Sequence, residues 1–67
     1  MKIILNNKEE TFEKESLTVS ELLELSGFSY KLLIVKVNGK LIKEDGYDNT
    51  IIKDGDDVAV LHLVTGG

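Results

Sequence analysis

The apolar positions of this chain change period several times, and each change marks an element. Ile3-Ile4-Leu5 is an apolar run that Asn6-Asn7-Lys8 breaks with turn-forming residues. A first strand is therefore predicted over residues 2–6. Residues 9–13 return as a more polar strand whose main apolar side chain is Phe12, so the pair reads as a hairpin with an exposed second strand. The period then becomes helical. Thr18 stands where an N-cap belongs and Glu21 follows three residues on, the spacing of a capping box. Leu17 before the cap and Leu22 in the first turn form the pair needed for a hydrophobic staple. Val19, Leu22, Leu23 and Ser26 share one face, with Leu25 flanking. Gly27 suits a left-handed stop, and Phe28 folds back after it. The helix is predicted over 19–26.

After the helix the pattern is that of strands. Residues 32–38 form a third strand, and Asn38-Gly39 is a strong hairpin signal into a short fourth strand at 40–43. Residues 44–53 read as a polar loop carrying Tyr47, Ile51 and Ile52. Asp54-Gly55 is a second tight turn, and a fifth strand follows at 57–64. The order β-β-α-β-β-β describes one α+β domain over residues 1–67, a sheet of about five strands packed on one helix.

The fifth strand is apolar on both parities: Val58, Val60, His62 and Val64 on one, Ala59, Leu61, Leu63 and Thr65 on the other. Such a strand belongs in a sheet covered on both sides. One short helix covers one side, so the other side is expected to present apolar side chains to a partner. Leu61 and Leu63 are the residues expected to face outward, unless a bulge or the 44–53 loop buries them.

Composition removes whole classes of function. The chain has no Cys, which excludes disulfides, thiolate metal sites, a Cys nucleophile and a persulfide carried by this chain. His62 is the one His and cannot make a metal site alone. The net charge is −4, and all eight cations are Lys. A nucleic-acid partner is therefore not expected, while an acidic surface suits a basic protein surface. The apolar start is too short for a signal-peptide core or a membrane helix, so a cytoplasmic protein with no membrane partner is expected. Asp56 and Asp57 are candidates to pair with basic partner residues; Asp54 reads as turn chemistry around Gly55. Glu44, Asp45 and Asp48 read as a solvated loop. No catalytic constellation is visible.

The closing Thr65-Gly66-Gly67 is expected to be a flexible tail. Glycines lack side chains, so such a tail threads a narrow channel and delivers the carboxylate of Gly67. From Thr65 to Gly67 the reach is at most about 10 Å, so the body of the domain must dock beside the chemistry.

Asp54-Gly55-Asp56-Asp57-Val58-Ala59, the apolar run to Val64 and the terminal Thr65-Gly66-Gly67 together resemble the ubiquitin-like sulfur carriers of the ThiS/MoaD family. Val37-Asn38-Gly39 and Thr18-Val19-Ser20-Glu21-Leu22-Leu23 add to the resemblance, which covers essentially the whole chain. It implies a β-grasp fold and a protein co-substrate with no turnover of its own. It also implies that an E1-like, ThiF-like adenylyltransferase uses MgATP to adenylate the Gly67 carboxylate. Sulfur from a persulfide, supplied by a cysteine desulfurase system, then gives a thiocarboxylate. The same resemblance implies that the chain binds no cofactor itself. Chain length favours the thiamine branch, in which sulfur passes to a ThiG-like thiazole synthase. Molybdopterin carriers are usually longer and often have Phe and Pro where this chain has Leu61, His62 and Leu63. The alternatives are a carrier for molybdopterin or another acceptor, and a β-grasp interaction module that is never activated. The resemblance implies that Gly67 is the modified residue and Gly66 its required neighbour; Leu61, Leu63 and Val64 are docking candidates by position. The free protein is expected to be a monomer.

Overall fold

The computed structural model describes residues 1–28 and 33–62. Two adjacent left-handed residues close the first hairpin: Asn6 (φ 51°) and Asn7 (φ 68°) join β1 (Lys2–Leu5) to β2 (Lys8–Thr11). Asn tolerates that region better than other side chains do. The short strand β3 (Ser16–Thr18) leads directly into α1 (Val19–Leu25). Thr18 Oγ1 accepts the Glu21 N–H at 3.1 Å, and the Glu21 carboxylate accepts the Thr18 N–H at 2.9 Å. The capping box read from the sequence is therefore formed, and Leu17 and Leu22 of the staple are both buried. At the other end Gly27 takes φ 76°, the Phe28 N–H donates to Leu23 O and the Gly27 N–H to Glu24 O. That pair of bonds is a Schellman stop. Ser26 is its C-cap and is exposed, so it does not extend the buried face as its spacing suggested; Val19, Leu22 and Leu23 make that face.

Strands β4 (Leu33–Val37) and β5 (Lys40–Ile42) are joined by Asn38 (φ 51°) and Gly39 (φ 82°). The segment 44–53, read as a loop, contains a further strand, β6 (Ile51–Lys53), which pairs antiparallel with β3. Leu17 faces Ile52 in that ladder and both are buried. Three-residue strands carry too little alternation to register as a period, which is why neither was predicted. Tyr47 is buried beside them, and burial, with Glu44 adding, pushes its phenol above the ordinary value. The last described strand is β7 (Asp57–His62); residues 63 and 64 of the predicted fifth strand, and residue 32 of the predicted third, lie outside the described residues.

Among the described residues the main sheet has the order β2-β1-β7-β4-β5, with β1 and β7 parallel and the other pairs antiparallel. β7 is thus held between β1 and β4. The core lies between this sheet and α1, with Ile3, Leu5, Val35, Val37, Val58 and Val60 meeting Val19, Leu22 and Leu23. Each such aliphatic side chain contributes about 1.5–3 kcal/mol when fully buried.

Candidate functional site

The register of β7 settles which of its two apolar sets faces out. Val58 pairs with Val37 and Val60 with Val35, and all four are buried on the helix side. Ala59 pairs with Lys36 and Leu61 with Ile34, so these point to the opposite face. Leu61 is 53% exposed, and Ala59 and Ile34 are half-buried. Leu41 of β5 lies opposite Lys36 and is also exposed. Ile4 of β1 sits on the same face beside Asp57. No bulge switches the parity among the described residues, and the 44–53 segment packs its buried residues elsewhere in the fold.

The outer face is therefore a shallow apolar surface of Leu61, Ile34, Ala59, Leu41 and Ile4, with Lys36 and Asp57 interspersed. Sequence reasoning found Leu61 and missed Ile34 and Leu41. The signal was available: exposed Lys36 two residues before the Asn38-Gly39 turn fixes the outward parity of β4, and the turn carries that parity onto Leu41.

Two asparagines hold β7 in place. Asn6 accepts the Val60 N–H at 2.8 Å and returns its own amide N–H to Val60 O at 3.1 Å. It thereby continues the parallel ladder beyond the end of β1. Asn38 Oδ1 accepts the Asp57 N–H at 2.9 Å, and its Nδ2 donates to Asp56 at 3.1 Å.

The candidate acidic residues divide. Asp54 accepts the Lys2 N–H at 2.7 Å, so its side chain ties the start of β1 to the turn and does not make the local turn bond expected of it. Asp56 accepts from Asn38 with one oxygen and from the Lys53 N–H with the other, at 2.9 Å. Its carboxylate is thus engaged within the turn that launches β7. Asp57 is exposed, on the outer face beside Ile4. His62 is exposed on the helix side, its ring 5.6 Å from that of Phe28 at a tilt of 51°. Leu63, Val64, Thr65, Gly66 and Gly67 lie outside the described residues. Among the described residues no cluster of three His, Asp or Glu is arranged to hold a metal ion, and no helix is long and apolar enough to cross a membrane. What this arrangement offers is an apolar sheet face on the strand whose sequence runs on to the glycines.

Comparison with known proteins covers the same span. The model of the ThiS family matches residues 2–67. The sulfur carrier protein ThiS of Bacillus subtilis (strain 168) is 30% identical over 63 residues, which cover 94% of this chain and 96% of that protein. The crystal structure of a thiamine biosynthesis protein (ThiS) from Geobacter metallireducens superposes with a TM-score of 0.89 at 35% identity, covering all of both chains. The solution structure of a thiamine biosynthesis protein from Geobacter metallireducens gives 0.83 at 35% identity, covering all of this chain and 88% of that one.

Proposed function

The chain belongs to the ThiS family, and on that footing we propose that it is a sulfur carrier of thiamine biosynthesis, a protein co-substrate whose reacting group is the Gly67 carboxylate. A carboxylate resists nucleophilic attack because the attack adds charge to an anion. Activation must come from a partner, an E1-like adenylyltransferase. The carboxylate oxygen attacks the α-phosphorus of MgATP, pyrophosphate leaves, and an acyl adenylate forms. The terminal sulfur of a persulfide, charged by a cysteine desulfurase, displaces AMP. A thiol then cleaves the resulting acyl disulfide and leaves the thiocarboxylate, which passes its sulfur to a thiazole synthase. The partners supply the Lewis acid and the nucleophile.

The observation that carries this reading is the full-length match to a ThiS structure at a TM-score of 0.89 and 35% identity. The outer face supports it. Within a short reach of the glycines a partner needs a surface to grip, and Leu61 with Ile34 offers one on the strand that leads there.

The test is an intact-mass measurement after mixing the protein with the adenylyltransferase of its host, MgATP and a sulfur donor. The expected result is a shift matching one oxygen replaced by sulfur. Gly67→Val, or one residue added after Gly67, is expected to abolish the shift and leave the urea unfolding midpoint unchanged. Normal activation of either variant overturns the assignment of Gly67. If an authenticated enzyme and donor give neither the shift nor an acyl adenylate with the unaltered chain, an unactivated interaction module becomes the better reading.

A further inference from the structure

The Asn38-Gly39 turn has a reactivity of its own. The chain has four Asn, at positions 6, 7, 38 and 49, and only Asn38 is followed by Gly. The side-chain amide of an Asn is open to attack at Cγ by the main-chain nitrogen of the next residue. Gly presents that nitrogen with no side chain in the way. Nothing lies within 4 Å of the place where a Cβ on Gly39 would stand, and Asn38 and Gly39 are both exposed to water.

The fold holds the group that must react. The Asn38 main-chain N–H donates to Asp57 O at 2.7 Å, and its Oδ1 accepts the Asp57 N–H at 2.9 Å. Nδ2 donates to Asp56 Oδ1 at 3.1 Å, while Oδ2 of the same carboxylate accepts the Lys53 N–H at 2.9 Å. Attack makes Cγ tetrahedral and expels Nδ2, so both side-chain bonds must break. They exist only while the turn that launches β7 lies against the β4–β5 hairpin. Reaction therefore requires a local opening there.

The product cannot rebuild the contact. An aspartate at this position still accepts the Asp57 N–H, but it has no N–H for Asp56. Carboxylate then faces carboxylate across the gap that the 3.1 Å hydrogen bond spans, and like charges so close oppose folding. An isoaspartate also lengthens the main chain of a two-residue turn by one atom, which disturbs the pairing of β4 with β5.

We infer that Asn38 is a site of spontaneous deamidation gated by the fold, protected while residues 56 and 57 are docked on it and, once converted, unable to hold the start of β7. The Gly39 nitrogen bonds to Asn38 Cγ and gives up its proton, the Cγ–Nδ2 bond breaks, and ammonia leaves. Water then opens the succinimide to aspartate or isoaspartate. No oxidant or reductant takes part. None of this depends on Gly67 chemistry or on what covers the outer face.

The experiment incubates the full, unaltered chain at mildly alkaline pH in buffer and in guanidinium chloride above its unfolding midpoint. Intact mass and the tryptic peptide 37–40 follow a shift matching NH₂ replaced by OH. Isomerisation at the Asp-Gly pairs leaves the mass unchanged and does not enter the count. Conversion at Asn38 is expected to be at least about tenfold faster in denaturant than in buffer. Asp56→Ala removes one of the two side-chain bonds and is expected to speed conversion in buffer by about threefold or more, with no change in denaturant. Asn38→Asp is expected to lower the folding equilibrium constant by about tenfold or more. Asn38→Asp combined with Asp56→Asn is expected to recover most of that loss. The contact is then reversed in polarity, with the amide at 56 donating to the carboxylate at 38 and its oxygen accepting the Lys53 N–H. Equal rates in the two solutions overturn the inference, as does conversion in buffer that begins at another Asn or is no faster in Asp56→Ala. So does an Asn38→Asp chain as stable as the parent. A double variant no more stable than Asn38→Asp alone overturns it equally, because the facing carboxylates are then not the cause of the loss.

Discussion

Glu21 holds the start of the helix through its charge. Its carboxylate accepts the Thr18 N–H, and that bond is the main cause of a pKa below the ordinary carboxylate value; burial opposes it, and the Thr18 hydroxyl and Lys14 assist. A lowered folded pKa means that the ionised group stabilises the fold. This stabilisation is complete above the unfolded carboxylate range, near about 4.3, and is lost as pH falls through that range towards the lower folded value. Thr18→Ala is expected to cost about 1 kcal/mol at neutral pH, within the range for cap removal. Glu21→Gln keeps an acceptor for the Thr18 N–H but removes the charge, so its loss of stability on acidification is expected to be shallower than that of the parent. Urea midpoints measured from neutral pH down to about pH 3, spanning the carboxylate range, check both outcomes; parallel acid limbs for parent and Glu21→Gln would discard the assignment. The capping box was legible because its two residues act within one turn. The tasks of Asp56 and Asp57 were not, because they depend on Asn38, which is distant in sequence and adjacent only after β4 and β7 have paired.

At the scale of elements, legibility followed the length of the signal. The helix, the Asn38-Gly39 hairpin and the turn at Asp54-Gly55 each carry chemistry that acts over a few residues, and each appears where the sequence placed it. β3 and β6 escaped notice because each is three residues long and is stabilised by the other, across a gap the local pattern does not span. The parity of β7 was undetermined for a related reason: both its sets are apolar, and only its register against β4 distinguishes them. Asn6 shows how that register is locked. Its positive φ makes the turn, and its amide makes two bonds to Val60. These roles separate by substitution. Asn6→Gly retains the turn conformation and loses the side-chain bonds. Its cost is expected to be about 1–3 kcal/mol, that of leaving buried main-chain groups of β7 unpaired. Native-state hydrogen exchange is expected to show the change first at the Val60 amide. If Val60 keeps the protection of the parent chain while stability falls, the amide bonds do not fasten β7 and the turn alone explains the loss.

Among the described residues the five-stranded sheet has unlike faces. One face is filled by α1 and the β3–β6 pair, and the other presents Leu61, Ile34 and Leu41 to solvent. Adjacent residues of β7 therefore carry opposite loads, and a matched pair of substitutions tests the division. Val60 is buried against the helix side, so Val60→Asp places an unpaired carboxylate in the core. Its cost of several kcal/mol is comparable to the whole stability of a small domain, and the variant is expected to be largely unfolded. Leu61→Asp puts the same group into water at an exposed position, and its stability is expected to stay within about 0.5 kcal/mol of the parent. If the outer face docks the adenylyltransferase, Leu61→Asp loses a desolvated apolar contact. The loss is expected to appear as about a tenfold or greater fall in kcat/KM for adenylation, equivalent to about 1.4 kcal/mol. It should be carried by KM, because the substitution leaves the Gly67 carboxylate, the proposed nucleophile, chemically unaltered. Steady-state pyrophosphate release at varied carrier concentration separates the two constants. A folded Leu61→Asp with the KM of the parent would show that the partner grips some other surface. A fall in kcat at unchanged KM would place Leu61 in aligning the tail rather than in docking.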